Sequence, residues 1–478
     1  MSRGDGNSGF PVRPAVGYAP GGAMSDDLPL RRTYLQHVVH DTLVPVASRL
    51  GLAWVVCLAF FAVTAPFIAN SHPILMQEAG RWSSPMLKSL EPADIVLPVA
   101  AIAAAVLLVR RKLSAGQGLG MVAWVSAVTY AATAWPSAPQ YYATLRGARL
   151  ELMSAWAAWT LLRFVGAMVV MMIVLLPIFV LPRRATMVAG ACLAPLVVLT
   201  LVFPVRPPEL VVYERYRQKE GSGQITFVLR AMVPYSANDR LRDQPELRLT
   251  PPRRGHPLGT EPNGADVLSR MIHASRIALS IGFIATGIAV VVGVIVGGLM
   301  GYFVGTVDLL GMRLIEIFQA IPRLVLLVAI TASYGRSLYL MMAVIGMLSW
   351  TGDARFIRAE FLKLRKEDFV QAAVAAGLPL RSILFRHMLP NGIAPVLVSA
   401  SFGVASAILL ESTLSFLGLG LVDEPSWGQM LNQAREGSGF NWWIALFPGA
   451  AIFLTVFAYN LVGESLRDAL DPKLLKRE

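Results

Sequence analysis

Long apolar runs separated by short polar stretches follow one another along the chain from about residue 52. A run of about 18 or more apolar residues can cross a bilayer as a helix. Because the lipid core offers the backbone no hydrogen-bond partners, spans of this kind are helical, and the pattern predicts an all-α polytopic membrane protein. We identify ten candidate spans, two of them short, at 52–69, 94–109, 119–136, 156–181, 186–204, 277–304, 312–333, 338–351, 392–418 and 443–463.

The composition agrees with a membrane protein, and the charge distribution predicts its orientation. The chain is 55% hydrophobic and only 15% charged, whereas soluble domains carry about 25% charged residues. Its net charge of +12 lies largely in loops. The positive-inside rule places Arg110–Lys112, Arg183–Arg184 and both termini in the cytoplasm. The segment 205–275 then lies outside despite its eleven Lys and Arg, because loops longer than about 60 residues cross largely regardless of charge.

These boundaries divide the chain into four parts. Residues 1–50 are rich in Gly, Pro and Ser and predict a disordered cytoplasmic tail rather than a signal peptide. Residues 51–204 hold five spans, and this odd number delivers the chain to the outside for the segment 205–275. Residues 276–478 hold five more spans, which enclose a polar cytoplasmic insert at 353–391.

Within the insert, the stretch from Gln371 to Asn391 is predicted to form a helix–turn–helix. Gly377 supplies the left-handed conformation that helix ends favour, and Pro379 suits the start of a second helix. Pro390 is predicted to end that helix. The apolar faces follow helical spacing and comprise Phe369, Ala372, Ala373 and Ala376 in the first arm and Leu380, Ile383, Leu384 and Met388 (or His387) in the second.

Two interpretations of this insert compete at the level of residues. It is either an amphipathic helix on the membrane surface, with Arg381 and Arg386 toward anionic headgroups, or a contact for another protein. The face of the first arm consists mostly of alanine, which adds little lipid affinity but lets another backbone approach closely. The residues therefore favour a compact knob that sits in the cleft of a partner.

The insert resembles the EAA loop in permease subunits of bacterial ABC importers, which reads E-A-A, three residues, Gly and a second helix ending in Leu-Pro. Three further stretches resemble the dipeptide/oligopeptide (peptide/nickel) permease group, and together the resemblance covers about 230–478. They are HPLGTEPNGADVLSRMIHASRIALSIG from His256, LLESTLSFLGLGLVDEPSWGQMLNQAR from Leu409 and GESLRDALDPKL from Gly463. The positions that match the EAA loop are Gln371, Ala372, Ala373, Gly377, Ile383, Leu389 and Pro390.

This resemblance implies a permease domain at 276–478 whose insert is the ATPase-coupling loop. Such a subunit lies in the bacterial inner membrane, binds no cofactor and is not an enzyme. It pairs with a second permease, two ATP-hydrolysing subunits and an extracytoplasmic binding protein that delivers di- or oligopeptides. The sequence agrees in that it holds no G-x-x-x-x-G-K-[ST] phosphate loop. Nickel or another small solute remains an alternative substrate within the same family.

The chain departs from the family pattern at three places. Gln371 stands where the family has Glu, so a charge-assisted contact is not available there. Gly-Thr-Glu-Pro-Asn-Gly-Ala-Asp replaces G-T-D-x-x-G-R-D, with Glu261 and Ala265 at the changed positions. The first four spans have no counterpart in the usual six-span subunit, and the fifth is expected to replace the family's leading span.

A secondary transporter or channel is the rival class, and it would place ionisable residues deep in the spans. Glu316 and Glu411 are the candidates for a translocation path, although pairing at a helix–helix contact is the favoured explanation of each. A membrane-embedded enzyme finds no support, because the six histidines are scattered and no H-E-x-x-H motif occurs.

The outer face is expected to meet the binding protein through large aromatic residues, which dominate the energy of transient interfaces. Trp427, in the sequence Pro-Ser-Trp-Gly, is the favoured anchor or, alternatively, part of a re-entrant plug. Trp442 suits the aromatic belt at the membrane surface better. The segment 205–275 offers three further anchors, Tyr213, Tyr216 and Tyr235.

Overall fold

The computed structural model describes residues 42–90, 92–110, 213–421, 424–435 and 441–470, with the isolated positions Val122, Val125 and Ser126. Apart from those three positions, the predicted spans 119–136, 156–181 and 186–204 lie outside the described residues, as does nearly all of the predicted tail. The described part is predominantly helical, which confirms the all-α class.

The N-terminal part contributes one long span and a small extramembranous sheet. Strand β1 pairs antiparallel with β2 and with β3, which follows more than a hundred residues later; Leu75 lies opposite Leu229, and Glu78 opposite Ile225. Because β1 and β3 pair with each other, the two parts of the chain that contain them must lie on the same side of the membrane. The elements are α1 (Val46–Ile68), β1 (Leu75–Glu78), β2 (Arg81–Ser83), α2 (Pro85–Ser89), α3 (Pro92–Arg110), α4 (Glu214–Gly221) and β3 (Ile225–Leu229).

The membrane core consists of long apolar helices that follow the outer segment. Together with α1, four of them are long and apolar enough to cross a bilayer, and a bent pair makes one further candidate. They are α5 (Val267–Phe303), the pair α6 (Gly305–Ala320) and α7 (Arg323–Tyr334), and then α8 (Leu338–Leu364), α12 (Ala394–Phe416) and α14 (Trp442–Leu470).

The predicted span 312–333 is wrong as one continuous helix. Helices α6 and α7 meet at a bend of 74°. Ile321 is extended, with φ −88° and ψ 124°, and Pro322 follows it. A proline pushes the preceding residue out of the helical region, which explains the break.

The polar insert lies between α8 and α12 and is built of short helical pieces. Its elements are α9 (Asp368–Ala375), α10 (Leu380–Ser382), a π-helical segment (Ile383–Met388) and α11 (Leu389–Gly392). Two predictions about it are wrong. Pro390 does not end the second arm, because the helical conformation continues from the π-helical segment through Leu389, at φ −57° and ψ −46°, to Gly392.

The predicted start of the insert at 353 is the second error, since α8 continues to Leu364. Its charged residues have partners on α6: Arg355 Nη2 donates to Gln319 Oε1 at 2.7 Å, and Arg358 forms a two-pronged ion pair with Asp308. These contacts hold the C-terminal part of α8 against α6.

Helix α1 packs directly against α5 and α14. Trp54 Nε1 donates to Thr455 Oγ1 of α14 at 3.1 Å. At Gly51 the helices are so close that a Cβ would lie 2.9 Å from Ala458 O. The first span, expected to have no counterpart in the family pattern, thus packs on the permease core, whereas the fifth span, expected to replace the family's leading span, lies outside the described residues.

Candidate functional site

The insert has an apolar inner face that fastens it to the membrane helices. Val370 and Ala373 of α9 lie buried with residues of the π-helical segment. They pack against Phe361 of α8 and Val396 of α12 in one cluster. This contact makes the insert a rigid extension of the core. The buried residues of the π-helical segment are Ile383, Leu384 and Met388.

The outer face of the insert is also apolar, but it packs against no other element among the residues that the structure describes. The predicted contact residues Gln371, Ala372 and Ala376 are exposed, whereas Ala373, predicted on the same face, is buried. Ala373 lies three residues after buried Val370 and so belongs to the inner face. The large apolar side chains exposed on the insert are Phe369, Val374, Leu378, Leu380 and Phe385. Leu380 and Phe385 line a groove with α5; we call the others, with Ala372 and Ala376, the insert's outer face.

The turn between the two arms has the predicted geometry. Gly377 adopts φ +70°, in the left-handed region that favours glycine. Its N–H donates to Val374 O at 2.9 Å, and Leu378 N–H donates to Ala373 O at 3.2 Å. These two bonds satisfy the last carbonyls of α9 and fix the angle between the arms. Of the other matched positions, Leu389 is partly buried and Pro390 is exposed.

The glutamine at the family's glutamate position has a structural partner. Gln371 Nε2 donates to Arg365 O at 2.7 Å, which ties α9 back to the end of α8. A glutamate could not make this bond, because an ionised carboxylate only accepts hydrogen bonds. The substitution therefore exchanges a negative charge for a local donor.

The two intramembrane glutamates singled out from the sequence have local partners. Glu411 is 1% exposed and accepts hydrogen bonds from Ser415 at 2.6 Å and Ser412 at 3.4 Å. Glu316 lies on the surface and pairs with Arg313 at 2.6 Å. Their proposed place in a translocation path stays a prediction. Asp353, which was not predicted as a site residue, is a buried residue of α8. Its place one turn after Ser349 on the same helix is the one sequence signal that could have indicated a polar site.

The prediction of Trp427 as an exposed docking anchor is wrong. Trp427 starts a short helix, α13 (Trp427–Gln433), which folds back onto the core. Its side chain is only 2% exposed, and Nε1 donates to Met271 O at 3.3 Å. Ser426 caps α13 by accepting a hydrogen bond from Gln429 N–H, so the turn that holds the indole inside is itself stabilised.

The three outer tyrosines also pack within the protein. Tyr213 and Tyr216 each contact the ring of His72, with centroids 5.5 Å apart in both pairs. Tyr235 stacks on His256 at 4.6 Å. Trp442 is 48% exposed at the start of α14, as an interfacial aromatic residue would be.

The charged residues of the outer segment leave a surface of free arginines. Several carboxylates pair within the segment: Asp239 and Asp243 with Arg217, Glu220 with Arg230, and Glu261 with Arg270. Five exposed arginines form no ion pair with any other residue that the structure describes. We call them the arginine patch: Arg240, Arg242, Arg248, Arg253 and Arg254.

Two members of the patch are neighbours across a tight glycine. A Cβ on Gly264 would lie 2.4 Å from Arg240 O and 3.3 Å from Arg248 Cγ. The close approach requires glycine there and holds the two arginine segments together. The patch is therefore a positively charged surface on an ordered part of the outer segment.

The sequence of this chain is similar to a family of known transport proteins. The family model described as "Binding-protein-dependent transport system inner membrane component" matches residues 289–476. The dipeptide transport system permease protein DppC of Alkalihalophilus pseudofirmus is 38% identical over 231 residues, which are 48% of this chain and 76% of that protein. The oligopeptide transport system permease protein OppC of Haemophilus influenzae is 39% identical, over 46% of this chain and 70% of that protein.

A third relative, the glutathione transport system permease protein GsiD of Pectobacterium atrosepticum, is 35% identical over 52% of this chain and 83% of that protein. A solved structure of the MetNI methionine ABC transporter matches at 15% identity and a TM-score of 0.33, covering 41% of this chain and 96% of that one. The similarity to the peptide permeases extends over most of their length, and the chain belongs to the family of binding-protein-dependent transport system inner membrane components, in the group of dipeptide and oligopeptide ABC importer permeases.

Proposed function

We propose that this chain is a permease subunit of an ATP-driven importer for di- or oligopeptides, and that its insert docks an ATP-hydrolysing subunit. The observation that carries the proposal is the insert's outer face, which exposes the apolar side chains of Phe369, Val374 and Leu378. Exposed apolar side chains gathered in this way are typical of a protein interface. Partner subunits supply the ATPase sites, and this chain binds no nucleotide itself.

The contacts of the insert supply a route for mechanical coupling. Its inner face packs on α8 through Phe361. One turn earlier on the same helix, Arg358 forms an ion pair with Asp308 of α6. A displacement of the insert is therefore transmitted through α8 to the bent pair α6–α7 by directly packed groups.

The relatives support a peptide as the substrate. Their names specify dipeptides, oligopeptides and glutathione, which is itself a peptide. Nickel or another small solute is the alternative. An ATP-independent carrier fits less well, because Glu411 is held by serines of its own helix and Glu316 by a surface arginine.

Three partners follow from the exposed surfaces. A second permease covers the apolar side chains of α6 and α7, among them Leu310, Ile317 and Val325, which are exposed in the single chain. The ATPase binds the insert's outer face in the cytoplasm. An extracytoplasmic binding protein meets the outer segment, where the arginine patch takes the place that the sequence analysis assigned to aromatic anchors. The chain lies in the inner membrane, with both termini in the cytoplasm.

Substitutions on the insert's outer face test the docking. The double variant Ala372→Glu and Ala376→Glu places two charges in the expected interface, and both positions are exposed, so the insert itself is undisturbed. We expect normal abundance in the membrane, loss of ATPase copurification and a drop in peptide uptake of about 100-fold. Ala373→Glu is unsuitable because Ala373 is buried.

The matched control neutralises the basic face of the same insert. Arg381→Gln with Arg386→Gln removes two charges from positions that are also exposed. If the insert docks an ATPase, this variant retains most of its uptake. If the insert instead lies on anionic lipid, the arginine variant is the more damaged of the two, and that result would refute the docking.

A further inference from the structure

A polar cavity lies inside the membrane core, between α5, α8 and α12 and beside the start of α7. Its volume is about 180 Å³. Most helix–helix contacts around it are apolar, so the polar groups that line it stand out. They are Thr286 of α5, Arg323 of α7, Ser349 and Asp353 of α8, and Ser399 and Ser406 of α12.

Asp353 is the acidic group of this cavity. It is only 6% exposed, and Ser399 Oγ donates to its Oδ1 at 2.7 Å. No arginine, lysine or histidine that the structure describes forms an ion pair with it. At Gly293 of α5 a Cβ would lie 2.6 Å from the Asp353 Cβ, so the close packing of α5 and α8 fixes the position of the carboxylate.

The hydroxyl groups around Asp353 leave acceptor sites open. Ser349 Oγ donates to Ile345 O at 2.7 Å, and Ser406 Oγ donates to Phe402 O at 3.0 Å. Each hydroxyl thereby donates its proton to a backbone carbonyl of its own helix, and its oxygen can still accept a hydrogen bond. Thr286 Oγ1, on a residue 7% exposed, has no hydrogen-bond partner.

The cavity thus offers a carboxylate and several oxygen acceptors in a medium of low polarity. An acidic group inside a membrane protein is costly unless a cation or a donor satisfies it. A primary ammonium group matches these requirements, because it carries one positive charge and three N–H donors and no acceptor. Arg323 lines the same cavity but is exposed and does not reach the carboxylate in this structure.

We propose that this cavity binds the ammonium group of a translocated peptide, with Asp353 as its counter-ion and Thr286 and Ser349 as further acceptors. The volume suits one end of a peptide rather than an extended chain. This inference rests on the proposed function, because it assigns a position to the substrate of that transport. Arg323, at the bend of the broken span, is the competing cation.

Charge-selective labelling tests the sign of the cavity. Thr286→Cys is made in a chain with Cys57→Ser and Cys192→Ser, since Cys57 is exposed and would react. The assembled importer in liposomes is treated with a cationic or an anionic methanethiosulfonate. We expect the cationic reagent to react faster, and Asp353→Asn to lower the cationic-to-anionic rate ratio by about tenfold. An unchanged ratio, or a preference for the anionic reagent that Arg323→Gln abolishes, would overturn the proposal.

Protection by a substrate provides a test that needs no change at Asp353. Dialanine at millimolar concentration should slow the labelling of Thr286→Cys about tenfold, whereas N-acetyl-dialanine, which has no ammonium group, should not. Equal protection by both compounds, or by neither, would contradict ammonium binding.

The transport assay separates this inference from the proposed function. With Asp353→Asn we expect dialanine uptake by the assembled importer to fall about tenfold. Thr286→Val, of similar shape, should lower uptake by a smaller factor. Normal uptake by Asp353→Asn would overturn the ammonium site. Absence of ATP-driven uptake in the wild type would instead refute the proposed function, and the labelling ratio would still report on the cavity.

Discussion

Glu261, at a position where the chain departs from its family, is buried beside Arg270. The arginine Nε lies 2.8 Å from the carboxylate Oε1. Burial nevertheless raises the pKa of Glu261 to about 7, with Arg270 opposing the rise. In the unfolded chain a glutamate has a pKa of about 4.3, so between these two values the folded state holds a proton that the unfolded state has released.

This difference predicts how stability depends on pH. The contribution of Glu261 is present below about pH 4.5 and is lost as the pH rises through about 7, because the folded state must then release its proton at a cost. His72 acts in the opposite direction, since burial lowers its pKa to about 4. Because His72 is present in both proteins, the difference in stability between the wild type and Glu261→Gln isolates the effect of Glu261.

The measurement is the melting temperature of both proteins in detergent from about pH 5 to about pH 8. We expect the difference, wild type minus Glu261→Gln, to become smaller or more negative as the pH rises. Glu246→Gln, at an exposed carboxylate of the same segment, is the control and should show no such trend. A difference that does not vary with pH would contradict the account of Glu261.

Aromatic residues show why single positions are hard to predict from sequence. Trp427 lies in a polar loop between two spans, which suggested a surface anchor. Its burial depends on α13 folding back so that the indole reaches Met271 O, more than 150 residues earlier. A contact over that separation leaves no local pattern in the chain.

Among the elements, the turn of the insert could be predicted and its two faces could not. Gly377 and Pro379 set a local conformation that depends on their own backbone preferences. The division between inner and outer faces depends on where α8 and α12 pack, and this places Ala373 inside although Ala372 next to it is exposed. The break between α6 and α7 was predictable from Pro322, but the apolar run concealed it.

The outer segment gives a prediction about its arginine patch. Its unpaired positive charges should attract an acidic face of the binding protein and raise the rate of association. Arg240→Glu with Arg248→Glu should lower the apparent affinity of the importer for the loaded binding protein about tenfold at low salt. The measurement is stimulated ATP hydrolysis as a function of binding-protein concentration.

The ionic strength of the assay provides the control for that prediction. Salt should weaken the wild type toward the level of the variant, because exposed charges are screened. Arg230→Gln, at an arginine that is already paired with Glu220, should have little effect. Equal loss in both variants, or a loss that salt does not alter, would rule out electrostatic docking by the patch.

At the scale of the whole molecule, the extra residues are inserted within the core rather than added before it. Helix α1 packs on α5 and α14, and β1 pairs with β3 on one side of the membrane. This pairing requires an even number of spans between the two strands; the four spans predicted between 94 and 204 lie mostly outside the described residues and stay a prediction. The hydropathy pattern located the spans but could not reveal which of them packs on the core, because lipid-facing and core-facing helices are equally apolar.

Two shortened chains distinguish an insertion from an N-terminal addition. A chain beginning near Pro182 loses α1 and with it the Trp54–Thr455 contact, so we expect poor abundance and no assembly. A chain in which a flexible linker replaces 92–212 keeps α1 and the sheet, and should copurify with its ATPase. Normal assembly of the chain from Pro182, with failure of the internal deletion, would show that the packing of α1 is not needed.

Photocross-linking from the insert tests the proposed docking most directly. A photoreactive phenylalanine analogue is incorporated at Ala372, on the exposed face, in cells that express the complete importer, and the cross-linked products are identified by mass spectrometry. We predict a product with the ATP-hydrolysing subunit, absent when the analogue replaces buried Ala373. Cross-links from position 372 to lipid alone, in an importer that still takes up peptide at the wild-type rate, would contradict the account.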